Sequence, residues 1–171
     1  YNLSSGASNV AVGNSALFAN TTGSQNVASG KDALRSNTTG ANNNAFGYQA
    51  MYSNTTGGHN IAIGSGAFYT NSTGASNIAI GSYSLYANTT GINNIANGYA
   101  ALRFNTIGAN NTAVGESALY ANTVGDNNTA IGKDALDSSV DGDNNTGIGY
   151  GSDAPASTTS DSFTLGNSSI D

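Results

Sequence analysis

The sequence contains no cysteine, so neither disulfides nor thiolate metal sites are open to it. Charged residues make up only 8% of its 171 residues, against roughly a quarter in ordinary soluble domains. Four Lys and Arg against ten Asp and Glu give a net charge of −6, which repels phosphate backbones, so we expect no nucleic-acid partner. No apolar run approaches the roughly 20 residues of a membrane-spanning helix, so we expect no membrane insertion.

What the sequence has in abundance is repetition. Most of its 23 glycines fall into two columns with a step of 17 residues. The first column is Gly13, Gly30, Gly47, Gly64, Gly81, Gly98, Gly115, Gly132, Gly149 and Gly166, and the second runs from Gly6 to Gly142. An asparagine column with the same step begins at Asn9 and ends at Asn145. The consensus is N-x-A-[IV]-G-x-x-A-L-Y-x-N-T-T-G-x-x, and its positions are counted below from the first asparagine.

A unit of 17 residues is too short for two helices and a turn, and it suits one coil of a β-solenoid. Positions 1 to 4, as in residues 60–63, predict one strand because β-branched residues flank a small one. Positions 8 to 10, as in residues 118–120, predict a second strand. A short helical turn is the alternative there. The second strand ends at a corner where glycine supplies a positive φ.

The whole chain is therefore predicted to be all-β, a parallel β-solenoid, or β-roll, of about ten coils. Residues 1–153 form the repeat array of nine coils, and residues 154–171 form a degenerate tenth coil or an exit segment toward a further domain. At about 4.8 Å per coil the array would be roughly 45 to 50 Å long.

Strand alternation predicts which side each column faces. The nearly invariant alanine at position 3 points inward, so the β-branched residues beside it face outward and form an apolar strip too long for a typical monomer surface. Such a strip favours symmetric self-association. The candidate interface residues are Val12, Ile63, Ile80, Val114 and Ile131.

The scarcity of charge has a physical reason in a stack. Identical charges one coil apart would repel at every step, whereas amides and hydroxyls can bond along the stack. The asparagine at position 12, from Asn20 to Asn122, is predicted to form such a corner ladder, with a ligand site as the alternative.

The repeat resembles a known family. The runs N-T-A-V-G at 111–115 and G-Y-Q-A-M-Y-S-N-T-T-G at 47–57 look like the repeats of bacteriophage tail-fibre proteins, which precede an endosialidase-type chaperone domain. The segment 161–170 resembles the stretch that leads into that chaperone, and the pattern is also similar to the head repeats of trimeric autotransporter adhesins. The resemblance implies a left-handed, homotrimeric, elongated attachment module on a virion or outside the cell.

One column carries aromatic and guanidinium side chains at position 10. Its members form a candidate ligand surface: Tyr52, Tyr69, Tyr86 and Tyr120, with Arg35 and Arg103 between the rings. Such a ladder can stack for stability alone. It can also offer flat rings to the apolar faces of sugars, or form a contact between chains.

Catalytic and metal chemistry finds little support. His59 is the only histidine and Glu116 the only glutamate, so neither a nucleophile and base nor a pair of acids is assembled, and we expect no enzymatic activity. A weak Ca²⁺ candidate is the set Asp141, Asp143 and Asn145, which resembles the start of a calcium loop, with a solvated corner as the alternative. No other metal or cofactor is expected.

The sequence thus favours a non-enzymatic attachment module, a trimeric shaft or head of a phage tail fibre or adhesin that presents or forms a receptor-binding surface. Its expected partners are further copies of itself and a glycan or protein receptor on a host cell. The alternatives are direct glycan binding by the tyrosine ladder, a self-assembling extracellular filament, and an ice-binding threonine array at positions 13 and 14.

Overall fold

The computed structural model describes residues 5–166, and its regular structure consists of ten short strands. The strands are β1 (Val10–Val12), β2 (Val27–Ser29), β3 (Asn44–Phe46), β4 (Ile61–Ile63), β5 (Ile78–Ile80), β6 (Ile95–Asn97), β7 (Thr112–Val114), β8 (Thr129–Ile131), β9 (Thr146–Ile148) and β10 (Phe163–Leu165). No helix is present among the described residues, so none there could cross a membrane.

All ten strands lie side by side in one sheet, in chain order. Each pairs in parallel with the next at a shift of 17 residues, as Ala45 does with Ala62. The predicted all-β parallel solenoid is confirmed, with about nine turns of about 17 residues. Coils are numbered below from Asn9, so that coil 4 begins at Asn60. The left-handed sense and the trimer stay predictions.

The predicted direction of the strand side chains is also confirmed. The position 3 alanines of β2 to β8 are fully buried, whereas the residues on either side of them are exposed or half-exposed. Opposite the alanines lie the small residue at position 8 and the large apolar residue at position 9, which are buried together in nearly every coil. The core is one thin apolar row that runs along the axis.

The predicted second strand at positions 8 to 10 is wrong. In coils 1 to 8 two successive turns replace it, closed in coil 2 by Ala33 N–H on the Gly30 carbonyl at 3.3 Å and by Asn37 N–H on the Leu34 carbonyl at 3.2 Å. The residues at positions 7 and 9 have positive φ, including Leu34 at 49°. A strand would send neighbours to opposite faces, whereas this backbone turns both position 8 and position 9 inward.

The free-energy cost of the positive φ at position 9 is no larger than the free-energy gain from burying the side chain there. A left-handed conformation disfavours a residue with a Cβ by about 1–2 kcal/mol, whereas burying a leucine contributes about 1.5–3 kcal/mol. The turns also bond between coils, since Leu34 N–H donates to the Ala50 carbonyl at 3.0 Å. Burial of a second large side chain therefore favours the turn over the strand.

Two asparagine ladders fill the opposite end of the core, and the predicted ladder at position 12 is confirmed as one of them. In coil 2, Asn37 Nδ2 donates to the Gly40 carbonyl at 3.0 Å and to Asn20 Oδ1 of the preceding coil at 2.8 Å. Asn26, at position 1, donates from Nδ2 to the same Gly40 carbonyl at 2.8 Å, and its Oδ1 accepts the backbone N–H of Asn43 at 3.0 Å. These amides are buried and bonded to one another, which leaves them no role as a surface site.

The two glycine columns have different physical causes. At position 5 the backbone requires glycine, since Gly47 has φ of 135°. At position 15 the expectation of a positive φ is wrong, because Gly40 does not have one. A Cβ on Gly40 would instead collide with the Gly57 carbonyl and the Asn37 amide. The corner needs glycine because neighbouring coils approach each other there.

The Thr-Thr-Gly corner clamps each coil to the next. The N–H groups of Thr21, Thr22 and Gly23 converge on the Thr38 carbonyl at 2.9, 3.1 and 3.3 Å. The Thr21 hydroxyl donates to the same oxygen at 2.9 Å.

The pattern weakens in coil 9, as the sequence indicates, and β10 then resumes the parallel register with β9. The segment from Ala154 to Ala156 carries no strand. Residues 167–171, which belong to the predicted exit segment, lie outside the described part of the chain.

Candidate functional site

The aromatic column at position 10 forms a stack along the turn side of the solenoid. The rings of Tyr52 and Tyr69 lie 5.0 Å apart with their planes 5° from parallel, and those of Tyr69 and Tyr86 lie 5.1 Å apart at 11°. The shared turn conformation of successive coils places these side chains in register.

Two arginines extend the stack, as their positions in the column predict. The Arg35 guanidinium carbon lies 5.6 Å from the ring centres of both Phe18 and Tyr52, and its Nη1 donates to the Tyr52 hydroxyl at 2.8 Å. Asp32 forms an ion pair with Arg35 at 3.5 Å. Arg103 lies 5.9 Å from the Tyr86 ring centre and closes the other end.

Tyr120 does not join this stack. Its ring packs edge-on against Phe104, at 5.0 Å and 85°. Tyr120 occupies the same sequence position as the stacked tyrosines. Its ring contacts Phe104, the aromatic residue at position 11 of the preceding coil, instead of continuing the stack. The stack therefore runs from Phe18 to Arg103.

The geometry favours a stabilising role for the interior of the stack. A sugar needs the face of a ring, yet the facing surfaces of Tyr52 and Tyr69 cover each other, as do those of Tyr69 and Tyr86. Burial, followed by the neighbouring tyrosines, raises the pKa of Tyr69, so its hydroxyl stays protonated at neutral pH. The interior rings present edges and hydroxyl groups to solvent.

A concave site lies beside the stack at coil 4, and sequence reasoning missed it. We call it the coil 4 notch. It has a volume of about 220 Å³ and is lined by Tyr48, Gln49, Ser65, Gly66, Tyr69, Tyr83 and Tyr86. The signal that could have found it is the pair Ser65 and Gly66, which combines small residues at positions 6 and 7 between Tyr48 of coil 3 and Tyr83 of coil 5.

The outer face of the sheet carries the predicted interface residues. Val12, Ile63 and Ile131 are exposed, while Ile80 and Val114 are half-exposed. All five occupy position 4, the last residue of each strand, and the sheet brings them into one row. The row is interrupted at Ser29 and Asn97, as the sequence indicates.

The weak calcium candidate is not gathered into one site. The Asn145 side chain points into the coil, where its Nδ2 donates to the Thr159 carbonyl at 2.6 Å and its Oδ1 accepts from Ser162 N–H at 3.0 Å. The Asp143 carboxylate accepts the Asp126 backbone N–H at 2.7 Å. Asp141 is exposed at the corner. Within residues 5–166, no three His, Cys, Asp or Glu side chains are grouped so as to hold a metal ion.

An acidic group sits where the position 10 column ends. Asp137 is half-buried, and its pKa is raised above the ordinary 3.8, first by burial and then by the negative charges of Asp153 and Asp134. A hydrogen bond with the Asp153 carboxyl acts in the same direction.

The remaining candidates lie apart from one another. His59 is exposed at a corner, and Glu116 forms an ion pair with Lys133 at 3.4 Å between two exposed side chains. The hydroxyls of the position 13 threonines donate hydrogen bonds to backbone carbonyls of the next coil, as the Thr38 hydroxyl does to the Thr55 carbonyl at 3.0 Å. One of the two threonine columns of the ice-binding alternative is thus committed to holding the coils together.

Comparison of the chain with protein-family models, with curated proteins and with solved structures returns no significant match in any of the three.

Proposed function

We propose that this chain is a non-enzymatic attachment module, the shaft or head of an extracellular or virion-borne fibre, assembled as a homotrimer through the outer face of its sheet. The observation that carries the proposal is the exposed row at position 4, where Ile63 and Ile131 are 41% and 43% exposed. An apolar row that covers most of a ten-stranded sheet, with interruptions at Ser29 and Asn97, is an unfavourable surface for an isolated chain and a suitable one for self-association.

The interior of the molecule supports a structural role. Most of its buried polar side chains are asparagine amides that bond to an adjacent coil, as Asn54 does to Asn37 at 2.7 Å. Such a chain is rigid along its axis, since every coil is bonded to both neighbours. The similarity of the repeat to tail-fibre arrays gives this rigid rod its proposed setting on a virion or cell surface.

The test is the mass in solution, measured by sedimentation velocity at micromolar concentration. We expect a particle of three times the 17.0 kDa chain mass. The double substitution Ile63→Glu and Ile131→Glu should give monomers that keep their β circular dichroism, because charges on the row would have to be desolvated in the interface.

Ile107→Glu is the matched control. Ile107 is 55% exposed but lies at the corner, away from the sheet face, so this variant should remain trimeric. A monomeric wild-type chain under the same conditions would contradict the proposed assembly.

A further inference from the structure

Gly66 lines the coil 4 notch and packs against the Tyr83 ring. At position 7 a positive φ near 60° is carried elsewhere by Gln49, Asp32 and Ala100, so the backbone of Gly66 at 62° does not require glycine. A Cβ at Gly66 would lie 3.2 Å from two ring carbons of Tyr83. A side chain at this position would therefore crowd the Tyr83 ring, and glycine lets that ring pack close against the backbone of coil 4.

The lining is aromatic and hydroxyl-rich. Four tyrosines, a serine and a glutamine surround the notch, and none of the lining residues is charged. Tyr48 is 50% exposed and Tyr83 38% exposed, so both reach solvent at the opening. The Tyr83 ring is not part of the parallel stack, since it meets Tyr86 at 61° and Tyr99 at 89°.

Arg103 contacts the two tyrosines that form one wall of the notch, Tyr83 and Tyr86. The Arg103 guanidinium lies 5.3 Å from the Tyr83 ring centre and 5.9 Å from that of Tyr86, two coils beyond coil 4. The rings of coil 5 stand between this cation and the notch. Cation–π contacts of this kind hold an aromatic side chain in one orientation, which prepares the wall before a ligand arrives.

We propose that the coil 4 notch binds a single uncharged pyranose ring of a glycan. Aromatic rings suit the apolar C–H faces of a pyranose, and phenol, hydroxyl and amide groups suit its hydroxyls. A volume of about 220 Å³ is below the 300 to 1,000 Å³ of drug-sized sites, which limits the occupant to about one ring. The inference rests on the proposed attachment role and names the chemical class of its receptor.

The experiment is saturation-transfer difference NMR with the wild-type chain and the methyl glycosides of glucose, galactose, mannose and N-acetylglucosamine, with the charged methyl glycoside of sialic acid as a comparison. At least one should show transfer to its ring C–H protons. Gly66→Gln should abolish that signal, because a Cβ at this position lies 3.2 Å from the Tyr83 ring and displaces the wall of the notch. The backbone accommodates glutamine at this φ, as Gln49 shows. Tyr83→Ala should weaken binding about tenfold or more by removing the wall.

Gly151→Gln is the matched control. Gly151 also occupies position 7, with φ of 56°, but it does not line the notch, so this variant should bind as the wild type does. Thermal unfolding of each variant separates an altered notch from a damaged fold.

Three outcomes would overturn the proposal. They are no transfer to any of the four glycosides, equal binding by the Gly66→Gln variant, and binding restricted to the charged methyl glycoside of sialic acid. This failure is distinguishable from failure of the attachment module's assembly. A trimer that binds no sugar refutes the notch alone, and a monomer that binds sugar refutes the trimer alone.

Discussion

At the scale of single residues, the buried asparagines hold the coils in place. In coil 2 one backbone carbonyl, that of Gly40, accepts both Asn26 and Asn37, and both amides also bond to neighbouring coils. An unsatisfied buried amide would cost about 1–3 kcal/mol, so any coil shifted out of register would lose several such bonds at once. The network thus specifies the stacking as well as stabilising it.

The position 12 ladder breaks at one residue, and repairing it should stabilise the chain. Ser139 replaces asparagine there, and both Asn122 Oδ1 and Ser139 Oγ are buried without a hydrogen-bond partner among the described residues. In Ser139→Asn, Nδ2 can reach Asn122 Oδ1 and the Gly142 carbonyl. We expect a gain of about 1 kcal/mol in unfolding free energy, which is a rise of about 2–4 °C in Tm by calorimetry.

Ser138→Asn is the control for this repair, since Ser138 is the exposed neighbour and its replacement should leave Tm unchanged. An unchanged or lower Tm for Ser139→Asn would mean that the ladder does not extend into coil 8.

At the scale of elements, the strand side and the turn side of each coil contribute differently to the sheet and to the core. The strand side supplies the regular sheet and buries only alanine, whereas the turn side buries the large residue at position 9 and displays the position 10 column. Stacked rings and guanidinium groups fill that column over six coils, from Phe18 to Arg103. Beyond Arg103, position 10 is occupied by Tyr120 and then by Asp137. The Asp137 carboxylate lies near the negative charges of Asp153 and Asp134.

Neutralising Asp137 should stabilise the chain at neutral pH. Because the folded-state pKa is raised above the ordinary 3.8, the folded chain holds this proton more tightly than the unfolded chain. The contribution of this group to stability is therefore fully present below pH 3.8 and is lost as the pH rises through the raised value. We expect Asp137→Asn to raise Tm by a few degrees at pH 7 and by nothing at pH 3, since the side chain is partly solvated.

The control for this substitution is Asp141→Asn, because Asp141 is exposed at the corner, and its Tm should follow that of the wild type at both pH values. A stabilisation of Asp137→Asn that is equal at pH 3 and pH 7 would show that charge is not the cause.

At the scale of the whole molecule, the chain is a one-dimensional stack. Each strand pairs only with its neighbours in the sequence, and each ladder repeats at the same shift of 17 residues. Stability is then close to a sum of coil and interface terms. Length can vary by whole coils without loss of any type of contact.

Removing one whole coil should therefore leave a folded protein. Deletion of residues 111–127 joins coil 6 to coil 8 with every column in register, and we expect cooperative unfolding with a slightly lower Tm. Deletion of residues 111–126 removes one residue fewer and shifts all later columns by one position, which exchanges inward and outward side chains. That variant should lose its ordered C-terminal coils in circular dichroism and limited proteolysis. Equal stability of the two deletions would contradict the registered stack.

The sequence by itself determined the 17-residue coil, the parallel register and the inward alanine. A strict period in a chain poor in charge admits only a stack, and strand alternation assigns each column a side. The tertiary structure decided that positions 8 to 10 form turns, that Gly40 avoids a collision, and that Tyr52 and Tyr69 cover each other. It also placed Gly66 between the tyrosines of two other coils. These features depend on how backbones one or two coils apart approach each other, and local sequence preferences do not encode that distance.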